Sequence, residues 1–161
     1  MIQITDIPID LAGLLPLISN PACGAQVIFV GTTRQWTGEV ETEFLEYEAY
    51  EELALQQMQS LETAARERWL LREVVLVHRV GRVNVNEPSV AVLVASPHRR
   101  EAFEGAKWLI DELKHHVPIW KREHYVQSGA EWIHPTNGNC NCETAHPRGT
   151  SEAHGQQAQQ Q

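Results

Sequence analysis

From Pro135 to Gln161 the chain contains no Leu, Ile, Val, Phe, Tyr, Trp or Met, and it ends in a glutamine-rich run. A segment with so little to bury gains too little from burial to offset the entropy of ordering its backbone. The sequence therefore reads as a folded unit over residues 1–134 followed by a polar, disordered tail over 135–161. The first part is long enough for one hydrophobic core. Truncation after Thr136 is expected to leave the oligomeric state and the melting transition nearly unchanged. A large fall in melting temperature, or loss of stoichiometric zinc, would instead show that Cys140 and Cys142 belong to a folded site.

Within residues 1–134 the hydrophobic periodicity switches repeatedly between the strand and the helix pattern. Ile2–Ile4 reads as a short strand and Asp10–Ile18 as a short helix carrying Leu11, Leu14, Leu15 and Ile18, weakened by Pro16. Gly24–Gly31 is an apolar, glycine-bounded strand. Thr32–Gly38 is a polar connection, after which Val40–Tyr50 returns as the second strand of a hairpin, with a bulge near Phe44-Leu45. Glu51–Trp69 places Leu53, Met58, Leu61, Ala65 and Trp69 at helical spacing, with acidic residues at its start as the helix dipole prefers. Leu71–Val80 and Ser89–Ala95 are β-branched runs separated by a Gly81–Pro88 turn region. Ser96-Pro97 reads as serine N-cap and proline N1 of a helix whose inner face is Phe103, Ala106, Ile110 and Leu113. Pro118 ends that helix, and Ile119–Val126 and Glu131–Ile133 read as strands. The class is α+β, with two principal helices and no internal repeat.

Composition and charge exclude several functions. An apolar fraction of 42% with 21% charged residues is that of a folded soluble protein. No run approaches the about 18 apolar residues of a membrane span, and the N-terminus lacks a signal-peptide layout, so a cytoplasmic location is expected. The net charge of −8 argues against broad nucleic-acid binding. The nine glutamates and one arginine between Glu39 and Glu67 concentrate the negative charge there. Between Ser96 and His124, six Lys/Arg face five Asp/Glu, with four histidines. An anionic substrate must therefore be met by a local cluster, which favours a small ligand in a defined pocket.

The richest stretch for chemistry is Lys114-His-His-Val-Pro-Ile-Trp-Lys-Arg-Glu123. Two lysines flank the proline that stops a helix, and apolar Val117, Ile119 and Trp120 lie beside them. Burial or a neighbouring cation turns a lysine into a catalyst; otherwise these are ordinary cations at a helix C-terminus. Arg34 follows a strand end, a rigid mount for a guanidinium that grips phosphate or carboxylate, or else a solvated loop arginine. His98 and Arg99 sit at a helix start, where free N–H groups hold anions, although Glu101 and Glu104 can balance them locally. Tyr47 and Tyr50 suit packing. His78-Arg79, ending a β-branched run, suits capping or an interface as well as ligand contact. Cys23, Cys140 and Cys142 do not make a disulfide framework, and Cys140-Asn-Cys142 with His134 or His146 matches no strong zinc spacing.

Taken in order, Gly24-Ala25, Phe29-Val-Gly31, Arg34, Tyr47-Glu-Ala-Tyr50, His78-Arg79-Val-Gly81, Ser96-Pro-His-Arg99 and Lys114 through Pro118-Ile-Trp-Lys-Arg-Glu123 resemble the large subunit of molybdopterin synthase, the MoaE-type family. The resemblance spans residues 1–134, and Pro-x-Trp-Lys-Arg-Glu following Ser-x-His-Arg is its most specific part. It implies an α/β-hammerhead fold with antiparallel sheets. It also implies a homodimer of large subunits at the centre of a heterotetramer, with a ubiquitin-like sulfur-carrier subunit of the MoaD type at each end.

The implied reaction installs the dithiolene of molybdopterin on cyclic pyranopterin monophosphate, with sulfur supplied by a thiocarboxylate on the carrier's C-terminal Gly-Gly. By the same resemblance Lys114 and Lys121 are the catalytic lysines. Thr32, Thr33, Arg34, His98, Arg99, Arg122 and Glu123 join them at substrate-binding positions, drawn from both large subunits. No metal or organic cofactor is implied, since the sulfur arrives preloaded. The cysteine-bearing tail has no counterpart in the family pattern. Two other readings fit parts of the chain: a non-catalytic adaptor for a ubiquitin-like protein, and a transferase that binds a phosphate ester without a protein sulfur donor.

Overall fold

A computed structural model describes residues 1–127 and 129–133. Cys140, Cys142, His134 and His146 lie outside the described residues.

The two β-branched runs become the centre of the first sheet: β5 (Glu73–Arg79) and β7 (Pro88–Ser96). They pair antiparallel, and the sheet order is β1-β5-β7-β2, with β1 (Ile2–Thr5) and β2 (Ala25–Thr32) at its edges. Side chains alternate across a strand, and here both faces are covered, so both sets must be apolar. Val74, Leu76, Val90, Val92 and Val94 pack against the two long helices, α2 (Glu51–Arg68) and α3 (Arg99–His116). Val75, Val77, Ala91, Leu93 and Ala95 pack against Leu14 of α1 (Leu11–Leu14) and Ile18 at the end of the 3-10 turn that continues it. Pro16 lies in that turn, which is why the expected helix over Asp10–Ile18 is split.

The second sheet is built around β4 (Val40–Ala49). β3 (Trp36–Thr37) and β6 (Gly81–Asn84) pair with it, as does β8 (Ile119–Tyr125), which in turn pairs with β9 (Gly129–Ile133). A register shift between Thr42 and Phe44 places a bulge close to the expected one.

Four expectations need correction. β2 does not form a hairpin with β4. It pairs with β7 over Ala25–Thr32, and β4 instead turns back on β3 through Gly38, whose φ of +63° suits glycine. The Gly81–Pro88 turn region contains strand β6. Ser96 is not the helix cap: it ends β7, and its hydroxyl donates to the Leu70 carbonyl at 3.1 Å, while His98 occupies the N-cap of α3 without a side-chain cap bond. Phe103 is 64% exposed, because the buried stripe of α3 runs through Ala102, Ala106, Leu109, Ile110 and Leu113. The expected antiparallel arrangement holds for every pair but one, since β1 runs parallel to β5. The mixed α+β class with two principal helices stands. No helix among the described residues is long and apolar enough to cross a membrane.

Candidate active site

A cavity of about 410 Å³ opens where the C-terminal turn of α3, the end of β2 and the inner face of the second sheet meet. Strand alternation decides which side chains reach it. On β8, Lys121 and Glu123 point inward, while Arg122 between them points to the opposite face. On β4, Leu45 and Tyr47 line the same cavity, directly opposite Glu123 and Lys121 in the pairing register. Pro118 separates α3 from β8 and lets the chain reverse, so Lys114 on the last turn of the helix faces the same space as Lys121 on the strand. Thr32 and Arg34, at and just beyond the end of β2, complete the rim.

Three cations, Arg34, Lys114 and Lys121, thus surround one carboxylate, Glu123, in a protein of net charge −8. The carboxylate is 4% exposed. One oxygen accepts from Lys121 Nζ at 2.7 Å and the other from the Tyr125 hydroxyl at 3.0 Å. Burial, the bond to Glu123 and the charge of Glu123 together push the Tyr125 phenol up to about 12, so it remains a donor. A buried carboxylate held from both sides fixes the Lys121 ammonium in one place. The remaining cations have no ion-pair partner among the described residues and are free to meet an anion.

The floor is neutral. His78 is buried, and burial lowers its imidazole to about 4 despite the bond to the Arg79 carbonyl. Its ring meets the Tyr47 ring edge-on, with centroids 5.1 Å apart. The Tyr47 phenol is raised by burial, an effect partly countered by its hydrogen bond with Ser89. Leu45, Val90, Ile110, Leu113 and Ile119 provide apolar wall. A cavity of this size, mostly apolar with a few convergent polar groups, has the form of a small-molecule site.

Of the residues expected at the site, Thr32, Arg34, Lys114, Lys121 and Glu123 come together. Thr33 does not: it is buried beside the cavity, with its N–H on the Glu87 carbonyl. Arg122 lies on the outer face of the sheet, its guanidinium 5.7 Å from the Trp132 ring. His98 and Arg99 are exposed at the far end of α3. Sixteen residues of helix put them about 24 Å from Lys114 at 1.5 Å per residue, so within one chain they do not reach the cavity. In the sequence Tyr47 suited packing, and His78 suited capping or an interface as well as ligand contact. The signal for them was indirect: each falls on the inward register of a strand that ends at the cavity. Among the described residues no group of three or more His, Cys, Asp or Glu is placed to hold a metal.

The MoaE protein family matches residues 4–116. The molybdopterin synthase catalytic subunit of Culex quinquefasciatus is 41% identical over 134 residues, covering 81% of this chain and 85% of that protein. The Drosophila melanogaster molybdopterin synthase catalytic subunit is also 41% identical, over 133 residues. It is a longer protein, and the chain spans 36% of it. A crystal structure of molybdopterin synthase from Staphylococcus aureus superposes with a TM-score of 0.77 at 35% identity, covering 81% of this chain and 94% of that one. Sequence and fold agree, and the chain belongs to the MoaE-type family of molybdopterin synthase catalytic subunits.

Proposed function

We propose that this chain is the catalytic subunit of a cytoplasmic molybdopterin synthase. It transfers sulfur from the C-terminal thiocarboxylate of a ubiquitin-like carrier to cyclic pyranopterin monophosphate. The observation that carries this reading is the convergence of Lys114, Lys121 and Arg34 on one partly apolar cavity in a protein otherwise strongly acidic. Both reactants are anions, and a local cation cluster against an acidic background selects for them at this point and no other.

The chemistry divides among the residues by position. Arg34 and Lys114, at the rim, bind and orient the substrate phosphate. Once sulfur has bonded to a substrate carbon, the carrier's acyl group must leave that sulfur. Water supplies the replacing oxygen, and the carrier departs as a carboxylate. Each such exchange passes through a tetrahedral oxyanion, and the Lys121 ammonium is the fixed charge that stabilises it. A covalent role for Lys121 would require stripping a proton from an amine bonded at 2.7 Å to a carboxylate that is 4% exposed. That would leave a buried carboxylate without its cation, so the electrostatic role is favoured. Glu123 acts by holding Lys121. His98 and Arg99, too distant in their own chain, enter the cavity of a neighbouring large subunit in the homodimer.

The carrier docks by inserting its glycine-ended tail, because only a chain without side chains approaches so closely through a narrow mouth. Calorimetric titration of full-length carrier against one lacking its last two glycines tests this, with much weaker binding expected for the shortened form. Equal affinities contradict tail-driven docking. Conversion of the substrate by purified chain and thiocarboxylated carrier tests the activity itself. Full turnover with the shortened carrier would remove the sulfur-carrier mechanism.

A further inference from the structure

The cavity changes character with depth. Its mouth carries Arg34, Lys114 and Lys121, whereas its floor is made by His78, Ser89 and Tyr47. Hydrogen-bond bookkeeping fixes what the floor offers. His78 Nδ1 lies 2.8 Å from the Arg79 backbone carbonyl, which only accepts, so Nδ1 carries the proton. Nε2 at the outer edge of the ring is then a bare lone pair, with no partner among the described residues. The Ser89 hydroxyl donates to the Gly31 carbonyl at 3.2 Å, which leaves its lone pairs to accept. The floor presents acceptors, 5% exposed at His78 and at Ser89, beneath a mouth of cations.

A ligand that fits both ends has an anion at one end and an N–H donor at the other. An exocyclic amino group projects beyond its ring and is the donor best able to reach a recessed lone pair. We infer that His78 is a specificity-determining residue whose Nε2 accepts a hydrogen bond from the amino group of an aminated heterocycle, seating the ring at the floor and its phosphate at the mouth. This rests on the functional reading above and adds how the same site tells its substrate from other phosphate esters. Burial keeps the imidazole neutral throughout the physiological range, so the acceptor is always available. The edge-on Tyr47 ring and the Arg79 carbonyl hold it in one orientation. A ligand that sets an apolar edge against this lone pair shuts it away from water without a donor, which is why a ligand that supplies the donor is preferred to one that does not.

The test is a cycle of one substitution and one ligand change, read by calorimetry. Wild-type protein is titrated with cyclic pyranopterin monophosphate, and then with a pterin and its counterpart bearing hydrogen in place of the amino group, each as a competitor. The same titrations follow with His78→Phe, which keeps a ring beside Tyr47 and removes the acceptor. About tenfold discrimination between the two competitors is expected for wild type. For His78→Phe the discrimination should vanish, and binding of the natural ligand should weaken about tenfold. Should the variant not fold, the wild-type discrimination alone decides. Equal binding of the two competitors by wild type, or discrimination unchanged in a folded His78→Phe, overturns the inference while leaving the functional reading intact. Failure of wild type to bind cyclic pyranopterin monophosphate overturns that reading and this inference with it.

Discussion

Lys121→Ala is expected to abolish formation of molybdopterin from cyclic pyranopterin monophosphate while leaving carrier binding in place. The ammonium sits on a rigid strand, opposite Tyr47 in the pairing register, and is fixed by Glu123 at 2.7 Å. Charge stabilisation that is preorganised in this way needs no rearrangement as the oxyanion forms. Its removal should raise the barrier by on the order of 3 kcal/mol or more, which is a rate loss of about a hundredfold or greater. Single-turnover conversion with thiocarboxylated carrier measures it, and near-normal turnover would sink the assignment.

The substitution also strands Glu123, and a buried carboxylate that has lost its cation destabilises the fold on its own account. Lys121→Ala combined with Glu123→Gln separates the two effects. The glutamine keeps a hydrogen-bonding partner for Tyr125 and removes the stranded charge, so the melting temperature should recover part of its loss. Activity should not recover. If it does, the defect of the single variant was structural and Lys121 is not the stabilising charge. Lys121→Arg should remain poor as well, because a planar guanidinium on a longer stem does not place its charge where the compact ammonium stood.

How far the sequence disclosed this site depends on whether the signal was local. Lys114 and Lys121 were legible because a helix-stopping proline and a following strand bring them together over a short span. The central strands were legible because burial on both faces leaves no polar residue to interrupt the run from Val74 to Val77 or from Val90 to Ala95. Strand β6 was not, since Gly81-Arg-Val-Asn84 carries one buried side chain and owes its conformation to pairing with β4. The partner of β2 was misjudged for a related reason. Proximity in sequence favours a hairpin with β4, whereas β7, far along the chain, offers a longer antiparallel register. Ser96 has the chemistry of a cap but is committed to the Leu70 carbonyl, a contact that no local pattern announces. Arg122 shows the limit of reading a motif as a unit. Three charged residues in a row on a strand cannot share a face, and alternation sends the middle one to Trp132. Tyr47 was read as packing and His78 as capping, an interface or ligand contact, and both side chains are packed. What the sequence did not show is that the cavity lies against them.

Acid should destabilise the protein through His78, and the sign follows from its burial. The imidazole titrates near 4 in the folded protein and near 6.5 once unfolded. Between those values the unfolded chain binds the extra proton, so stability rises with pH across the window and is lost as pH falls from about 6.5 to 4. Below about 4 both states are protonated and the contribution levels off. A shift of this size in a side chain 5% exposed corresponds to about 3 kcal/mol lost across the window. Glu87, whose carboxylate is held low chiefly by hydrogen bonds from Asn84 and then from Arg79, weakens the fold in the same direction at lower pH. The histidine term is isolated by urea unfolding of wild type and His78→Phe at pH 7, 6, 5 and 4. Phenylalanine cannot take up a proton, so the stability difference between wild type and variant should shift by about 3 kcal/mol against wild type from pH 7 to 4. Parallel pH dependences for the two proteins would mean that His78 is as readily protonated folded as unfolded. The neutral floor of the cavity, and the fixed acceptor built on it, would then be wrong.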